Sequence, residues 1–145
     1  MQPSRVRVIA ICLLRHGDKI LALEGYDKVK RQTFYRPLGG TIEFGEHSKD
    51  TVVRELREEI GAELAEVRYL FTLENVFTFN GENGHEIVLV YDGALADPAL
   101  YERPVLEARE DDGQPFIARW VSLEDFASGE TPLYPSGLLE RWRQL

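Results

Sequence analysis

Two periods of hydrophobic and polar positions divide this chain. Apolar stretches that alternate with polar residues or run unbroken, the mark of strands, fill residues 5–14, 20–23, 33–36, 41–44, 64–79, 85–95 and 116–121. His16-Gly17-Asp18-Lys19 reads as a tight turn between the first two. Residues 33–36 lead into a loop of glycines, and residues 41–44 leave it. Residues 64–79 are long and rich in β-formers, with breaks at Asn75 and the polar cluster 80–84, so residues 85–95 pair back across Gly81-Glu82-Asn83-Gly84 as a hairpin. The helical period governs residues 47–60, which hold no Pro or Gly and place Val52, Val53, Leu56 and Ile60 on one face. Gly61, able to take a left-handed conformation, ends that helix. Ser122 caps a short helix through Phe126, and residues 136–143 form another. Strands, an inserted helix, then strands and helices again predict an α+β layered domain.

Composition narrows the class. The 145 residues contain no internal repeat, linker or low-complexity tract, so 1–145 reads as one domain of ordinary size. The formal net charge of −8 argues against a general nucleic-acid or anionic-membrane binder, though not against an anionic nucleotide held through a metal and a local basic patch. Cys12, the single cysteine, has no internal disulfide partner and lies in an apolar run as a small core residue. Arg7 interrupts the first apolar run, no cleavage pattern follows it, and no stretch has the length of a membrane span; the expected compartment is the cytoplasm.

The candidate chemistry is concentrated in residues 40–62, GTIEFGEHSKDTVVRELREEIGA. On a helix, Glu55, Glu58 and Glu59 stand at i, i+3 and i+4, so their carboxylates project from neighbouring turns. Glu55 and Glu59 are like charges that cost a helix roughly 0.2–0.5 kcal/mol, and a hard divalent cation with oxygen ligands would remove that repulsion. A solvated acidic helix, laced by pairs such as Arg54 with Glu58, is the alternative for the helix taken alone.

Eight positions together, Gly40, Glu46, Arg54, Glu55, Leu56, Glu58, Glu59 and Gly61, resemble the Nudix box, the signature of hydrolases that cleave nucleoside diphosphates linked to another moiety. With about 7% usage per residue type, a chance match is on the order of 10⁻⁹ per register. Ala62 departs from the pattern, which has a bulky aliphatic residue there, and is expected to weaken local packing. Proline commonly stands directly before the glycines, whereas here Pro37 lies one place earlier and Leu38 intervenes.

The resemblance implies a mixed β-sheet sandwiched between α-helices. It further implies Mg²⁺, with Mn²⁺ as a substitute, held by Glu55, Glu58, Glu59 and the carbonyl of Gly39. Glu46 and Arg54 would form a structural ion pair. Catalysis would fall to Glu55, Glu58 and Arg54, with Glu55 orienting or deprotonating the attacking water. A small nucleotide-type substrate is expected, without nucleic acid or membrane, and homodimers are common in the family.

Outside the box, several residues carry two readings each. Glu86, at the start of a strand, is either a further carboxylate in the cleft or a solvated hairpin residue. The acidic run 107–112 is a solvated loop, or offers Glu110 and Asp112 as metal ligands or base. Lys28, Lys30, Arg31 and Arg36 form either a phosphate-facing rim or an ordinary basic loop, with Arg36 nearest the glycines. Tyr35 or Phe34 either stacks on a base or packs in the core. Phe77, Phe79 and Asn80 stand where family members specific for ADP-ribose or dinucleoside polyphosphates carry proline or tyrosine, which leans towards nucleoside triphosphates or a broad range. The expectation is a Mg²⁺-dependent hydrolase of a phosphoanhydride bond. The alternative is a catalytically silent domain that senses a nucleotide metabolite or recruits a partner.

Overall fold

The computed structural model of the chain describes residues 4–110 and 112–145. Its spine is β1 (Arg7–His16), an apolar strand buried on both sides. Ala10, Cys12 and Leu14 point to one core, and Ile9, Ile11 and Leu13 to the other. A strand buried on both faces requires a layer on each, and the chain supplies them.

The strands are β2 (Lys19–Asp27), β3 (Gln32–Thr41), β4 (Leu64–Phe79), β5 (Glu82–Leu95), β6 (Val105–Arg109) and β7 (Pro115–Ser122), in the order β4-β5-β1-β3-β2-β7-β6. β1 and β5 run parallel, from Arg7↔Glu86 to Leu14↔Gly93, while the other neighbouring pairs are antiparallel, making the sheet mixed. Helix α1 (Ser48–Ile60) covers one face with Val52 and Leu56. Helices α2 (Leu123–Ala127) and α3 (Leu138–Arg143) cover the other with Phe126, Leu138 and Trp142. Among the described residues no helix is long and apolar enough to cross a membrane.

α1 ends as the glycine predicts. Gly61 takes φ 67°, its N–H donates to the Arg57 carbonyl, and the Ala62 N–H reaches back to Leu56. Ala62 is itself buried in the core beneath α1. The buried face of the helix differs from the aliphatic stripe read from the sequence. It comprises Thr51, Val52, Glu55, Leu56 and Glu59, with Val53 and Ile60 only half-buried, so two carboxylates share the core-facing side.

Three expectations are corrected. The glycine segment is not a loop between two short strands: β3 runs unbroken through Gly39 and Gly40, pairing first with β2 and then with β1 (Ile11↔Gly39, Ala10↔Gly40). Gly39 adopts φ 152°, and a Cβ there would collide with the Ala10 carbonyl, so glycine is what lets the two strands close. The loop falls later, at residues 42–47, where Phe44 projects into solvent instead of continuing a strand. In the β4–β5 hairpin the turn is Asn80-Gly81, with φ 51° and 82°, and Glu82 already opposes Phe79. The acidic run begins within β6, where Leu106 and Ala108 alternate inward between exposed Val105, Glu107 and Arg109. Its strand signal is half hidden because only one face is buried.

Leu56 is fully buried between α1 and the sheet. Leu56→Ala is expected to destabilise the fold by about 2–5 kcal/mol, measured as a lower urea midpoint at unchanged m-value.

Candidate active site

The carboxylates of α1 meet the glycines of β3. Glu59 is 4% exposed, and its Oε1 accepts the Gly39 N–H at 2.9 Å. Glu55 is 3% exposed and lies flat against Gly40: a Cβ on that glycine would stand 2.5 Å from the Glu55 Cδ. Gly40 is therefore the seat of a carboxylate. Burial, the largest cause, with Glu55 and Glu110 adding to it, pushes Glu59 up to about 9 against the pull of Arg36 and the Gly39 N–H. Glu58 differs from both, with its side chain 49% exposed and its Oε2 3.3 Å from Arg54.

Arg54 organises this corner. Its Nε and Nη2 donate to the two Glu46 oxygens at 2.9 and 3.0 Å, a bidentate pair. Nη1 donates to Glu55 Oε1 at 3.0 Å and to Glu58 Oε2 at 3.3 Å, while Nη2 also reaches the Thr41 carbonyl at 3.2 Å. Thr51 adds a hydroxyl to Glu46 Oε1 at 2.6 Å. The Arg54 guanidinium, then Thr51, hold the Glu46 carboxyl at about 2, and Glu46 in turn raises Arg54 above its ordinary value.

Beside this corner lies a cleft of about 470 Å³ between the β2–β3 and β4–β5 hairpins. Phe34, Phe77, Phe79 and Tyr134 give it aromatic walls, and Arg36, Arg7 and Glu86 also line it. Phe34 sits over Gly25 and Phe77 over Gly84, each ring occupying the space a glycine leaves on the neighbouring strand. Arg36 connects cleft and carboxylates. Its Nη2 bonds Glu110 Oε1 at 2.6 Å, and its charge acts on Glu59.

The remaining sequence candidates separate. Glu110 is brought to the site through Arg36, whereas Asp112 stays exposed in the following turn, accepting the Gln114 N–H at 3.0 Å. Glu86 lines the cleft and pairs with Arg7 at 3.3 Å. Arg31 lies exposed in the β2–β3 turn with φ 54°, outside the cleft lining. Tyr35 is on the other face of β3 from Phe34, as alternation along a strand demands. There it packs with Phe126, and its hydroxyl donates to Glu24 at 2.7 Å. Of the basic segment, Lys28, Lys30 and Arg36 line the cleft. Sequence reasoning missed Arg7, whose Nη2 also bonds Thr41 Oγ1 at 2.7 Å and so links Glu86 to the strand that Arg54 holds. An isolated Arg in an edge of apolar sequence carries no signal of that role.

The donor set suits a hard divalent cation. Glu55, Glu58 and Glu59 offer carboxylate oxygens, and Glu55 and Glu59 are buried while Glu58 is half exposed. Among the described residues no three Asp, Glu, His or Cys side chains form a ready cage. A closed cage is the requirement of larger or softer ions. Mg²⁺ takes one or two carboxylates and keeps water and substrate phosphate for the rest.

Comparison with known proteins decides the family. A model of the NUDIX domain matches residues 3–139. The chain belongs to the Nudix family. Over 77 residues it is 39% identical to the uncharacterized Nudix hydrolase YvcI of Bacillus subtilis (strain 168), a stretch covering 53% of this chain and 44% of that protein. The fold is similar to that of a Nudix hydrolase from Nitrosomonas europaea, with a TM-score of 0.64, 17% identity and coverage of 97% of this chain and 90% of that one. A MutT Nudix hydrolase from Burkholderia pseudomallei gives a TM-score of 0.60 and 20% identity over 83% of this chain and 86% of that one. The mixed sheet with helices on both faces is thus the Nudix fold.

The Arg54–Glu46 clamp makes a pH-dependent contribution. The folded-state value of Glu46 lies below its ordinary 4.5, so its bond stabilises fully above that pH and is lost as pH falls towards 2. The stability gap between wild type and Glu46→Gln, from urea midpoints in EDTA, is expected to hold steady from pH 7 to about 5.5 and to narrow below about 4.5.

Proposed function

We propose that this Nudix domain is a Mg²⁺-dependent hydrolase, with Mn²⁺ as a substitute. It cleaves a phosphoanhydride bond in a nucleoside triphosphate or another nucleoside diphosphate linked to a further moiety. The observation that carries the reading is the Glu55–Glu59 pair, buried against Gly39 and Gly40, with Glu59 under the charge of Arg36, which lines an aromatic, cation-edged cleft. Two carboxyl groups on the core-facing side, one pushed up to about 9 by burial beside the other, cost stability, and a divalent cation held by both would offset that cost.

Glu55, Glu58, Glu59 and the Gly39 carbonyl are the groups that would hold the ion. A bound divalent cation supplies neutralisation of charge on the phosphoryl oxygens. The chain's own residues do the rest. Phe34 and Phe77 offer faces on which a planar base stacks. Arg36, at the junction of cleft and carboxylates, turns its guanidinium to a phosphate. Glu55, oriented by Arg54 Nη1 on its Oε1, aligns the attacking water and takes its proton as oxygen bonds to phosphorus. The anhydride P–O bond then breaks, and the leaving phosphate carries away the electron pair.

The test is product release from a panel of nucleoside triphosphates, ADP-ribose, nucleotide sugars and dinucleoside polyphosphates. Turnover in Mg²⁺, abolished by EDTA, is expected for at least one of them. Glu55→Gln should lower kcat on that substrate by about 10²–10⁴-fold. No turnover, with metal-dependent binding of one compound, would replace the hydrolase by a metabolite sensor. Gly40→Ala supplies a second check. Its Cβ displaces the Glu55 carboxylate, the flexible end of a side chain, so activity should fall steeply while far-UV circular dichroism stays that of wild type.

A further inference from the structure

The β2–β3 and β4–β5 hairpins are bonded to each other at their tips. Asp27, the last residue of β2, is buried, and its Oδ1 accepts the N–H groups of Val29 and Lys30 at 2.9 Å each. Its Oδ2 crosses to the other hairpin and accepts the Asn80 N–H at 3.2 Å. Asn80 answers from its own turn, with Oδ1 accepting the Lys28 N–H at 2.8 Å. Lys30 Nζ donates to the Thr78 carbonyl at 2.8 Å and lies 5.9 Å from the centre of the Tyr134 ring. Asn80-Gly81 suits the left-handed turn, and the Asn80 side chain in addition carries the bond to Lys28.

These residues line the cleft at the end remote from the carboxylates. Along β3, Gln32 marks this end and Arg36 the other, four residues or about 13 Å apart. A groove between two hairpins is open at its tips unless something joins them. Here the tips are joined by reciprocal bonds. The latch also occupies Lys30 with a carbonyl, while Arg36, at the opposite end, is a cleft cation whose charge acts on Glu59.

We propose that the Asp27–Asn80 latch, with Lys30, determines base specificity by closing the far end of the cleft, so that the group against Phe34 and Phe77 is a single planar base and bases enlarged at their outer edge are excluded. The proposal rests on the reading of the cleft as the nucleoside site. Binding tests it apart from catalysis.

Asn80→Gly removes the Oδ1 acceptor while keeping a residue suited to the turn, and Lys30→Met removes the donor while keeping the stem. The probes are α,β-methylene triphosphates of the four ribonucleosides, plain or with a benzyl group on the outer edge of the base. They are titrated calorimetrically in Mg²⁺ into wild type, each single variant and the double variant. Wild type is expected to prefer its plain nucleotide by roughly tenfold or more, with the ratio falling towards one in the double variant. If the double variant is unfolded by circular dichroism, the same fall in Asn80→Gly is required. A ratio unchanged in folded variants overturns the latch, as does equal binding of both probes to wild type. Wild type binding none of the nucleotides overturns the cleft assignment itself. Selective binding without any hydrolysis leaves the latch standing and removes the hydrolase reading alone.

Discussion

The Arg54 guanidinium is bonded at once to Glu46, Glu55, Glu58 and the Thr41 carbonyl, and the site's geometry depends on it. Those partners belong to the loop 42–47, to helix α1 and to the end of strand β3. One cation therefore fixes where the loop runs, how the helix is turned about its axis and how far it stands from the glycines. Its partners are partly shielded, so the bonds matter more for this registration than for net stability, as is usual for buried ion pairs. Lysine could not substitute. Five donors in a planar fork are needed to reach four groups in different directions.

Registration of the helix explains why its three glutamates are unequal. Glu55 and Glu59, one turn apart, face the sheet, while Glu58 looks towards solvent across Arg54. The sheet can accept two carboxylates because β3 has no side chains opposite them: Gly39 closes on β1 and gives its N–H to Glu59, and Gly40 leaves room for Glu55. Two adjacent glycines thus perform separate tasks. A core-facing pair of acids is poor packing and poor electrostatics, and the proposed chemistry rests on it.

Much of this was legible in residues 40–62, because spacing on a helix sets which side chains are neighbours whatever the tertiary context. The helix, its glycine stop and the α+β class follow from local rules. What escaped depended on partners distant in sequence. The glycines look like a loop until β1 is known to pair with them, and β6 looks like an acidic loop until its small apolar face meets the core. Burial of Glu55 and Glu59, with Val53 and Ile60 left half-buried, goes with the side-chain-free Gly39 and Gly40 of β3 against which they lie. Tyr35 and Phe34 are indistinguishable as neighbours until the strand's alternation is anchored, and Lys30 reads as a phosphate ligand until Thr78 is beside it.

The central claim is that the buried pair, more than the exposed Glu58, makes the cation site. It is tested most directly by titrating Mn²⁺ into the metal-free protein and following the free ion by electron paramagnetic resonance, in wild type, Glu55→Gln, Glu59→Gln and Glu58→Gln. Wild type should bind the ion, the Glu55 and Glu59 variants should lose binding, and the Glu58 variant should retain the larger part of it. Equal binding by all four proteins would contradict the claim, as would loss in the Glu58 variant alone.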